Sequence, residues 1–279
     1  MSGSPARPAH GPGSAWDTPE AVGRVEGAYR ADDVSAIRAA QIALLGPLAG
    51  LRVLDVGSGP GIFARDLALQ GARVTAMDSA PAMLEAAAAE AERAGVAVEL
   101  LAGDASAPPV PDGAYDAAVV VQVIEYVPDA VGCLAAVARA VRPGGHLLVC
   151  DTDWTTASWG IADTALADRV KAGWCATKEH PDAGRRIPEW LAAAGCRVVA
   201  GDPRLLAVSD ATGDTFHSHT WPSYRSTLER TGALTADELE RFGALCAEAT
   251  ARGAFSFTVV RHAWLARVEG LARVEGGAA

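Results

Sequence analysis

The sequence predicts an α/β fold built on a seven-stranded, mostly parallel sheet, with helices on both faces and a helical cover over the carboxyl ends of the strands. Three observations carry this prediction. Short β-branched runs alternate with helical segments, a glycine cluster at 57–61 follows the first run, and an acidic residue, Asp78, ends the second. Strands alternating with helices connect by right-handed crossovers, which gives a parallel sheet whose ligand lies beyond the carboxyl ends of its strands.

The elements follow in order along the chain. From Pro19, apolar residues at helical spacing predict N-terminal helices in which Val22, Val25 and Tyr29 share one stripe. The predicted strands of the parallel part are 51–56, 73–77, 96–101, 115–121 and 145–151, and the predicted helices among them are 62–70, 80–94 and 129–140. After a helical interval, 197–206 and 256–266 are two more strand candidates, which complete a sheet of seven.

Composition favours a single domain. The chain has 279 residues, 50% of them hydrophobic, which is enough for one large α/β domain, and no second glycine-loop unit is present. We expect residues 1–16, which are rich in Ser, Gly, Pro and Ala, to be disordered, and residues 17–269 to form the domain. The remaining segment, 270–279, contains the whole second copy of Leu-Ala-Arg-Val-Glu-Gly, residues 271–276, and is interpreted as a tail.

Charge and cysteine content limit the class of partner. The formal net charge is −10 and no basic run is present, so we expect no nucleic-acid partner. Five cysteines without a C-x-x-C pair, in a chain without a secretory leader, predict reduced thiols, a cytoplasmic protein without membrane attachment, and no metal site. The expected oligomeric state is a monomer or a homodimer.

The glycine cluster predicts a nucleoside-cofactor site. The strand Leu51 to Val56 turns sharply into a helix at these glycines, which allow a ligand to approach the backbone closely. Asp78 ends the second strand at the same sheet edge, where a carboxylate can accept hydrogen bonds from both ribose hydroxyls. A dinucleotide fingerprint requires a third glycine where this chain has Ile62, so NAD fits poorly.

The segment Val53-Leu54-Asp55-Val56-Gly57-Ser58-Gly59-Pro60-Gly61 resembles the first motif of class I S-adenosylmethionine (SAM)-dependent methyltransferases, of the small-molecule type related to ubiquinone and menaquinone biosynthesis. The resemblance continues in the expected order through Met77-Asp78-Ser79, Gly103-Asp104-Ala105, Tyr115 to Val120, and Arg142-Pro143-Gly144-Gly145. It implies SAM as cofactor and methyl transfer to an O, N or C atom of a small, aromatic or apolar metabolite.

The same resemblance implies roles for single residues. The loop 57–61 would lie under the methionine part of SAM, Asp78 would hold the ribose, and Asp104 would bind the adenine amino group, although Asp104 can also be read as a turn residue. Tyr29 is a candidate lid residue or, alternatively, a core tyrosine. The predicted cofactor-binding residues are Tyr29, Asp55, Gly57, Ser58, Gly59, Gly61, Asp78, Ser79, Met83, Gly103, Asp104, Ala105 and Gln122.

Aromatic residues predict the acceptor site. Segment 121–129 resembles the corresponding small-molecule methyltransferase region, with Tyr126 at a position often held by histidine, and Asp151-Thr152-Asp153-Trp154 resembles a segment of the same family. Apolar-aromatic pockets with few polar groups are typical of small-molecule sites, and the predicted cover is 17–50, 152–190 and 210–230. The predicted substrate-binding residues are Tyr126, Trp154, Trp159, Phe216, Trp221 and Tyr224.

The acceptor proton is the one that a base would remove. Transfer of a methyl group from a sulfonium needs no protonated leaving group, so the acceptor is the one group that could need deprotonation, and whether a base is used stays open. Histidine is the usual base near neutral pH. His217 and His219, expected on an extended loop, would point to opposite sides, so that one faces the cleft. With Asp153, they are the candidate catalytic residues, while surface or packing roles remain the alternative for both histidines.

Two further functions stay open at this point. A protein of the same fold can bind SAM without methylating, as a cyclase, a decarboxylase or a non-catalytic protein, because fold does not fix function. Thiol-dependent methylation of arsenite would require convergent cysteines, for which Cys175 and Cys246 are the plausible pair.

Overall fold

The computed structural model describes residues 14–269, and the predicted tail 270–279 lies outside them. The helices are α1 (Pro19–Arg30), α2 (Asp32–Ala43), α3 (Ile62–Leu69), α4 (Pro81–Ala94), α5 (Ala130–Ala140), α6 (Thr164–Cys175), α7 (Ala183–Ala193), α8 (Phe216–Arg230) and α9 (Ala236–Ala251). The strands are β1 (Arg52–Val56), β2 (Arg73–Asp78), β3 (Val98–Ala102), β4 (Tyr115–Val121), β5 (Val141–Trp159), β6 (Cys196–Gly201), β7 (Arg204–Val208) and β8 (Phe257–Val268).

All eight strands belong to one sheet. Its order is β3-β2-β1-β4-β5-β8-β6, with β7 also paired to β8. Strands β1 to β5 pair in parallel, whereas β8 runs antiparallel to β5, β6 and β7. The strand order reverses between β1 and β4, and such a switch point opens a crevice beyond the carboxyl ends of the strands. The predicted α/β fold with a Rossmann-like, mostly parallel sheet is confirmed.

Two details of the predicted strands are wrong. Segment 197–206 is not one strand: Asp202 and Pro203 separate β6 from β7, and the two strands pair with different stretches of β8. Proline has no N–H to donate to a ladder, so the described sheet has eight strands instead of seven. Strand β5 also continues well past the predicted end at 151, because its second half pairs with β8.

The sheet is buried on both faces. Neighbouring residues of β1 point to opposite sides, with Val53 packing near Phe63 of α3 and Leu54 packing in the cluster that contains Leu134 of α5. Parallel sheets covered by helices on both faces have this form. A third cluster, centred on aromatic residues of β5, α8, α9 and β8, gives the cover a core of its own.

The N-terminal helices are tied to the sheet layer by ion pairs. Arg38 of α2 contacts Asp66 of α3, with 2.6 Å between Nε and Oδ2, and Arg30 of α1 pairs with Glu90 of α4. Helix α1 also packs against α8. Helix α1 is therefore held above the carboxyl ends of the strands. None of the helices between residues 14 and 269 combines the length and apolar character needed to cross a bilayer.

Candidate functional site

A cavity of about 320 Å³ lies over the carboxyl ends of the parallel strands, beneath α1 and α8. Its volume is in the range of small-molecule sites. The end near β1 to β3 is formed by glycines and carboxylates, while the end near β4, β5 and β8 is formed by aromatic and basic side chains. The predicted disordered segment 1–16 lies largely outside the described residues, but Trp16 is described and forms part of the wall.

The glycine loop has the backbone that close approach requires. Gly57 and Gly59 have φ values of 67° and 53°, in the left-handed region that glycine adopts without strain. A Cβ placed on Gly59 would meet nothing nearer than Val25 of α1, at 3.9 Å, so it would occupy space inside the cavity. The loop can therefore serve as a cradle for a ligand.

Gly61 differs from the other predicted loop residues. It is the N-cap of α3, with φ 77°, and does not line the cavity. A Cβ at Gly61 would lie 2.8 Å from Cα of Ala87 in α4, so this glycine allows two helices to approach each other. All the other predicted cofactor-binding residues line the cavity.

Backbone donors orient the two predicted nucleoside carboxylates. The oxygens of Asp78 accept hydrogen bonds of 2.9 Å from the backbone N–H groups of Gly59 and Ala80, which fix the carboxylate in the cavity wall. Asp104 lies at the exposed rim, where its Oδ1 accepts from Ser106 N at 2.7 Å. The turn role anticipated for Asp104 is thus present, together with a place in the cavity wall.

Three buried polar groups of the wall lack a partner. Asp55 is 1% exposed, its Oδ2 accepts no hydrogen bond, and burial, with the nearby charge of Asp78, raises its pKa to about 7. Ser58 Oγ and Gln122 Nε2 are also buried and unpaired. Within residues 14–269, Gln122 is the one non-glycine residue with positive φ, 56°. Buried unpaired groups and backbone strain at the same place are typical of ligand sites.

A buried polar network lies beside the aromatic end of the cavity. Lys178, whose side chain is 1% exposed, places Nζ 3.3 Å from Glu125 Oε1 and 2.6 Å from the Tyr126 hydroxyl. Trp154 Nε1 donates to the other oxygen of Glu125, and Glu125 N donates to Asp151 Oδ2 at 3.1 Å. Burial lowers the pKa of Lys178, and burial with the charge of Glu125 raises the pKa of Asp151. Such a network can accept and hold a proton.

Trp154 is the centre of the aromatic wall. Its ring centroid lies 5.7 Å from that of Trp174, 5.8 Å from Tyr224 and 6.4 Å from Phe216. Of the predicted substrate-binding residues, Tyr126, Trp154, Phe216 and Tyr224 line the cavity.

Trp159 and Trp221, the other two predicted substrate-binding residues, do not line the cavity. Both pack on Phe242, and Trp159 also packs on Phe257, in the core of the cover. Trp159 belongs to this core and Trp221 packs against it, so both side chains stabilise the cover.

The predicted catalytic residues also lie outside the cavity wall. The expectation of an extended loop is wrong, because Thr215 caps a helix, α8, that carries both histidines. His217 is 2% exposed, packs on Phe255 and Phe257, and has a pKa lowered to about 4 by burial. The ring of His219 instead pairs with Asp214.

Asp153, the third predicted catalytic residue, is occupied by an ion pair. It is buried, and its Oδ2 lies 2.8 Å from Arg185 NH1. It does not line the cavity.

The sequence analysis missed several residues of the site. The sequence held a signal for two of them. Glu125 adjoins the predicted residue Tyr126, and Lys178, one of two lysines in the chain, follows Trp174 closely. Arg24, Trp174 and Arg261 line the cavity as well. Arg261 stands at an inward position of β8, whose burial alternates along the strand, and a charge at an inward position is itself a signal.

Comparisons with known proteins agree with this geometry. Residues 54–149 match a family described as a methyltransferase domain. A ubiquinone biosynthesis O-methyltransferase of Methylobacterium sp. (strain 4-46) is 34% identical over 183 residues, which are 65% of this chain and 70% of the relative. One from Methylocella silvestris is 34% identical over 177 residues, 61% of this chain and 63% of that relative.

A solved structure of similar fold is a putative methyltransferase from Bacillus halodurans C-125. It has a TM-score of 0.60 and 18% identity, and the match covers 84% of this chain and 100% of that one. At this identity the structural likeness supports the fold, whereas the sequence matches support the family. The chain therefore belongs to the class I SAM-dependent methyltransferases that act on small molecules, the type related to the ubiquinone biosynthesis O-methyltransferases.

Proposed function

We propose that this methyltransferase transfers the methyl group of SAM to a hydroxyl oxygen of a small aromatic metabolite. The observation that carries the proposal is the cavity itself, because one continuous space joins a glycine and carboxylate end to an aromatic end. The names of the sequence relatives support oxygen as the acceptor atom. The lining of the cavity supports an aromatic acceptor, since rings pack favourably on rings at these centroid distances.

The residues at the β1 to β3 end fit SAM. Asp78 would accept hydrogen bonds from the ribose hydroxyls and Asp104 from the adenine amino group. The unpaired atoms of Asp55, Ser58 and Gln122 would meet the polar groups of the methionine part, next to the Gly59 cradle. Tyr29, which is on α1 and lines the cavity, would close over the ligand.

Glu125 is the proposed base. When bound, SAM supplies a methyl group on a sulfonium, which is transferred by in-line displacement. Glu125 lines the cavity, and Lys178 and Trp154 each donate a hydrogen bond to one of its two carboxylate oxygens. As the acceptor oxygen attacks, its proton would pass to the Glu125 carboxylate, which becomes neutral, and the added positive charge would remain on the network as the ammonium of Lys178. Enclosure of the acceptor by aromatic rings would exclude water from this step.

Two substitutions separate the two halves of the site. Asp78→Ala removes two charge-assisted hydrogen bonds, each worth about 1.5–3 kcal/mol, so the affinity for SAM should fall by at least tenfold. Glu125→Gln should leave SAM affinity within about threefold but reduce turnover by about a hundredfold, because it removes a general base. Calorimetry measures binding, and methyl-labelled SAM incubated with a metabolite extract measures transfer, with products identified by mass.

Asp112→Ala is the matched control for Asp78→Ala, since Asp112 is an exposed carboxylate far from the cavity wall, and it should change neither quantity. Unchanged SAM affinity in Asp78→Ala would contradict the cofactor assignment. Label recovered on nitrogen or carbon would contradict the proposed hydroxyl acceptor, and full turnover by Glu125→Gln would exclude that residue as the base.

A further inference from the structure

Arg261 presents a buried positive charge to the cavity. It is 4% exposed, lines the cavity from β8, and its Nε has no hydrogen-bond partner. Its guanidinium carbon lies 5.2 Å from the ring centroid of Phe216 and 5.9 Å from that of Tyr29. Rings lie beside this cation, but none of them supplies a full negative charge.

The acidic groups around Arg261 do not pair with it. In the part of the chain that is described, no carboxylate oxygen lies within the 4.0 Å limit of an ion pair with Arg261. Asp33 accepts instead from the backbone N–H of Phe216, at 3.0 and 3.2 Å, and Asp151 accepts from the backbone of Glu125 and Thr152. A buried guanidinium without a partner is costly, and a planar carboxylate matches its fork of donors.

A second arginine lines the same cavity from a different element. Arg24 of α1 also lines it and has no carboxylate within ion-pair distance among the described residues. Its guanidinium carbon lies 5.7 Å from the ring centroid of Trp16. Both arginines influence the Tyr224 hydroxyl electrostatically, so the two cations flank one region of the aromatic end.

The sheet places Arg261 at the acceptor end. Its strand, β8, is the third neighbour from the glycine-loop strand β1 in the order β1-β4-β5-β8. With strands spaced about 4.8 Å apart, that separation is roughly 14 Å at the level of the backbone. Phe216, which contacts Arg261, stacks in turn near Trp154. The guanidinium is therefore beside the aromatic wall that would receive the acceptor ring.

We infer that the methyl acceptor is an aromatic carboxylate whose acid group pairs with Arg261, with Arg24 of α1 adding attraction from the same cavity wall. The inference rests on the proposed function, because it describes the substrate of the same site. A carboxylate would satisfy the unpaired donors of Arg261 with a bidentate, charge-assisted contact, while the ring of the acceptor packs on Phe216 and Trp154.

The test compares matched acids and amides on protein saturated with S-adenosylhomocysteine. The probes are benzoate, salicylate and 4-hydroxybenzoate, each paired with its uncharged amide, and binding is measured by calorimetry. At least one acid should bind about tenfold or more tightly than its amide. In Arg261→Met this preference should fall to within about threefold of unity, with the affinity for S-adenosylhomocysteine changed by less than about threefold.

Two controls separate the explanations. Arg267→Met, an exposed arginine on the same strand, should keep the preference. The affinities for S-adenosylhomocysteine and for 5′-methylthioadenosine, which lacks the amino-acid carboxylate, show whether Arg261 serves the cofactor. Suppose that Arg261→Met weakened binding of S-adenosylhomocysteine tenfold or more but not binding of 5′-methylthioadenosine. Arg261 would then pair with the carboxylate of the cofactor, and the inference would be overturned.

The wild-type comparison needs no variant, so the inference remains testable if Arg261→Met does not fold. It would be overturned if no acid bound more tightly than its amide to protein that binds S-adenosylhomocysteine normally. Arg24→Met should weaken the preference by a smaller factor than Arg261→Met, since Arg24 is less buried. Loss of S-adenosylhomocysteine binding by the wild type would instead contradict the proposed function.

Discussion

Asp55 is the residue whose environment most changes its chemistry. Its folded pKa of about 7 lies above its ordinary value of 3.8, so the folded state favours the protonated form. This preference stabilises the folded state to its full extent below pH 3.8. The stabilisation declines as pH rises and is lost above about pH 7. At neutral pH the ligand-free protein therefore contains a carboxyl group that is costly to ionise, beside the glycine loop.

Asp55→Asn should remove this pH dependence. We expect the ligand-free variant to be more stable than the wild type at pH 8, by between about 1 and 4 kcal/mol, because one pKa unit corresponds to about 1.4 kcal/mol. The advantage should be smaller at pH 5. Urea denaturation at both pH values measures it, and Asp112→Asn, which changes an exposed carboxylate, should show no such trend. An equal difference at both pH values would contradict the assignment of the titration to Asp55.

Residues at the glycine-loop end of the cavity were predictable because their positions follow from the local backbone. Asp78 ends a strand and Gly59 lies in a tight turn, and both features can be read from a few neighbouring residues. Arg261 and Glu125 were missed because their importance depends on contacts across the sheet. His217 was chosen for its ordinary pKa, but burial in the cover lowers that pKa to about 4.

At the scale of elements, the junction of α3 and α4 depends on Gly61. Gly61→Ala would place a Cβ 2.7 Å from Cβ of Ala87, on a backbone with φ 77°. Gly95, at the end of α4, has φ 67°, but a Cβ added there would have no atom within 4 Å, so Gly95→Ala is a matched control for strain alone. We expect a loss of about 1 kcal/mol for Gly95→Ala and about 3 kcal/mol for Gly61→Ala, since overpacking adds to the strain. Urea denaturation measures both, and equal losses would show that helix packing does not require this glycine.

The element boundaries that the sequence predicted well are those marked by local signals. Helix α4 ends at Ala94, before Gly95 with positive φ, and α5 begins after Asp129, whose side chain accepts from Gly132 N. The wrong boundaries occur where the length of a strand depends on the strand that pairs with it. The second half of β5 becomes a strand because β8 lies beside it, and no periodicity within β5 alone contains that information.

At the scale of the molecule, the sequence predicted a helical cover but not the contacts that attach it to the sheet layer. Enrichment in aromatic residues predicted the cover, whereas the ion pairs that hold α1 in place join residues distant in sequence. Glu90 of α4 is central to them, because its side chain is 2% exposed and contacts Arg30 of α1, Arg65 of α3 and Arg93 of α4. Helix α1 therefore forms part of the cavity wall and also carries Arg30, which attaches the helix to Glu90 of α4.

Glu90→Gln should loosen α1 and thereby speed ligand release. Loss of this buried carboxylate removes an ion pair from each of three guanidinium groups, which keep only their contacts to Glu26 or Asp66. Because Arg30 and Arg93 are partly exposed, the cost should be below the roughly 3–5 kcal/mol of a fully buried pair, and part of it would appear as easier opening of α1. We expect amide hydrogens of α1 to exchange faster and S-adenosylhomocysteine to dissociate about tenfold faster, with exchange in β4 unchanged. Hydrogen exchange and stopped-flow release measure the two effects. Glu92→Gln, an exposed position on the same helix, is the matched control and should leave both unchanged. Faster exchange throughout the sheet would indicate general destabilisation, and an unchanged release rate would show that α1 does not control access to the cavity.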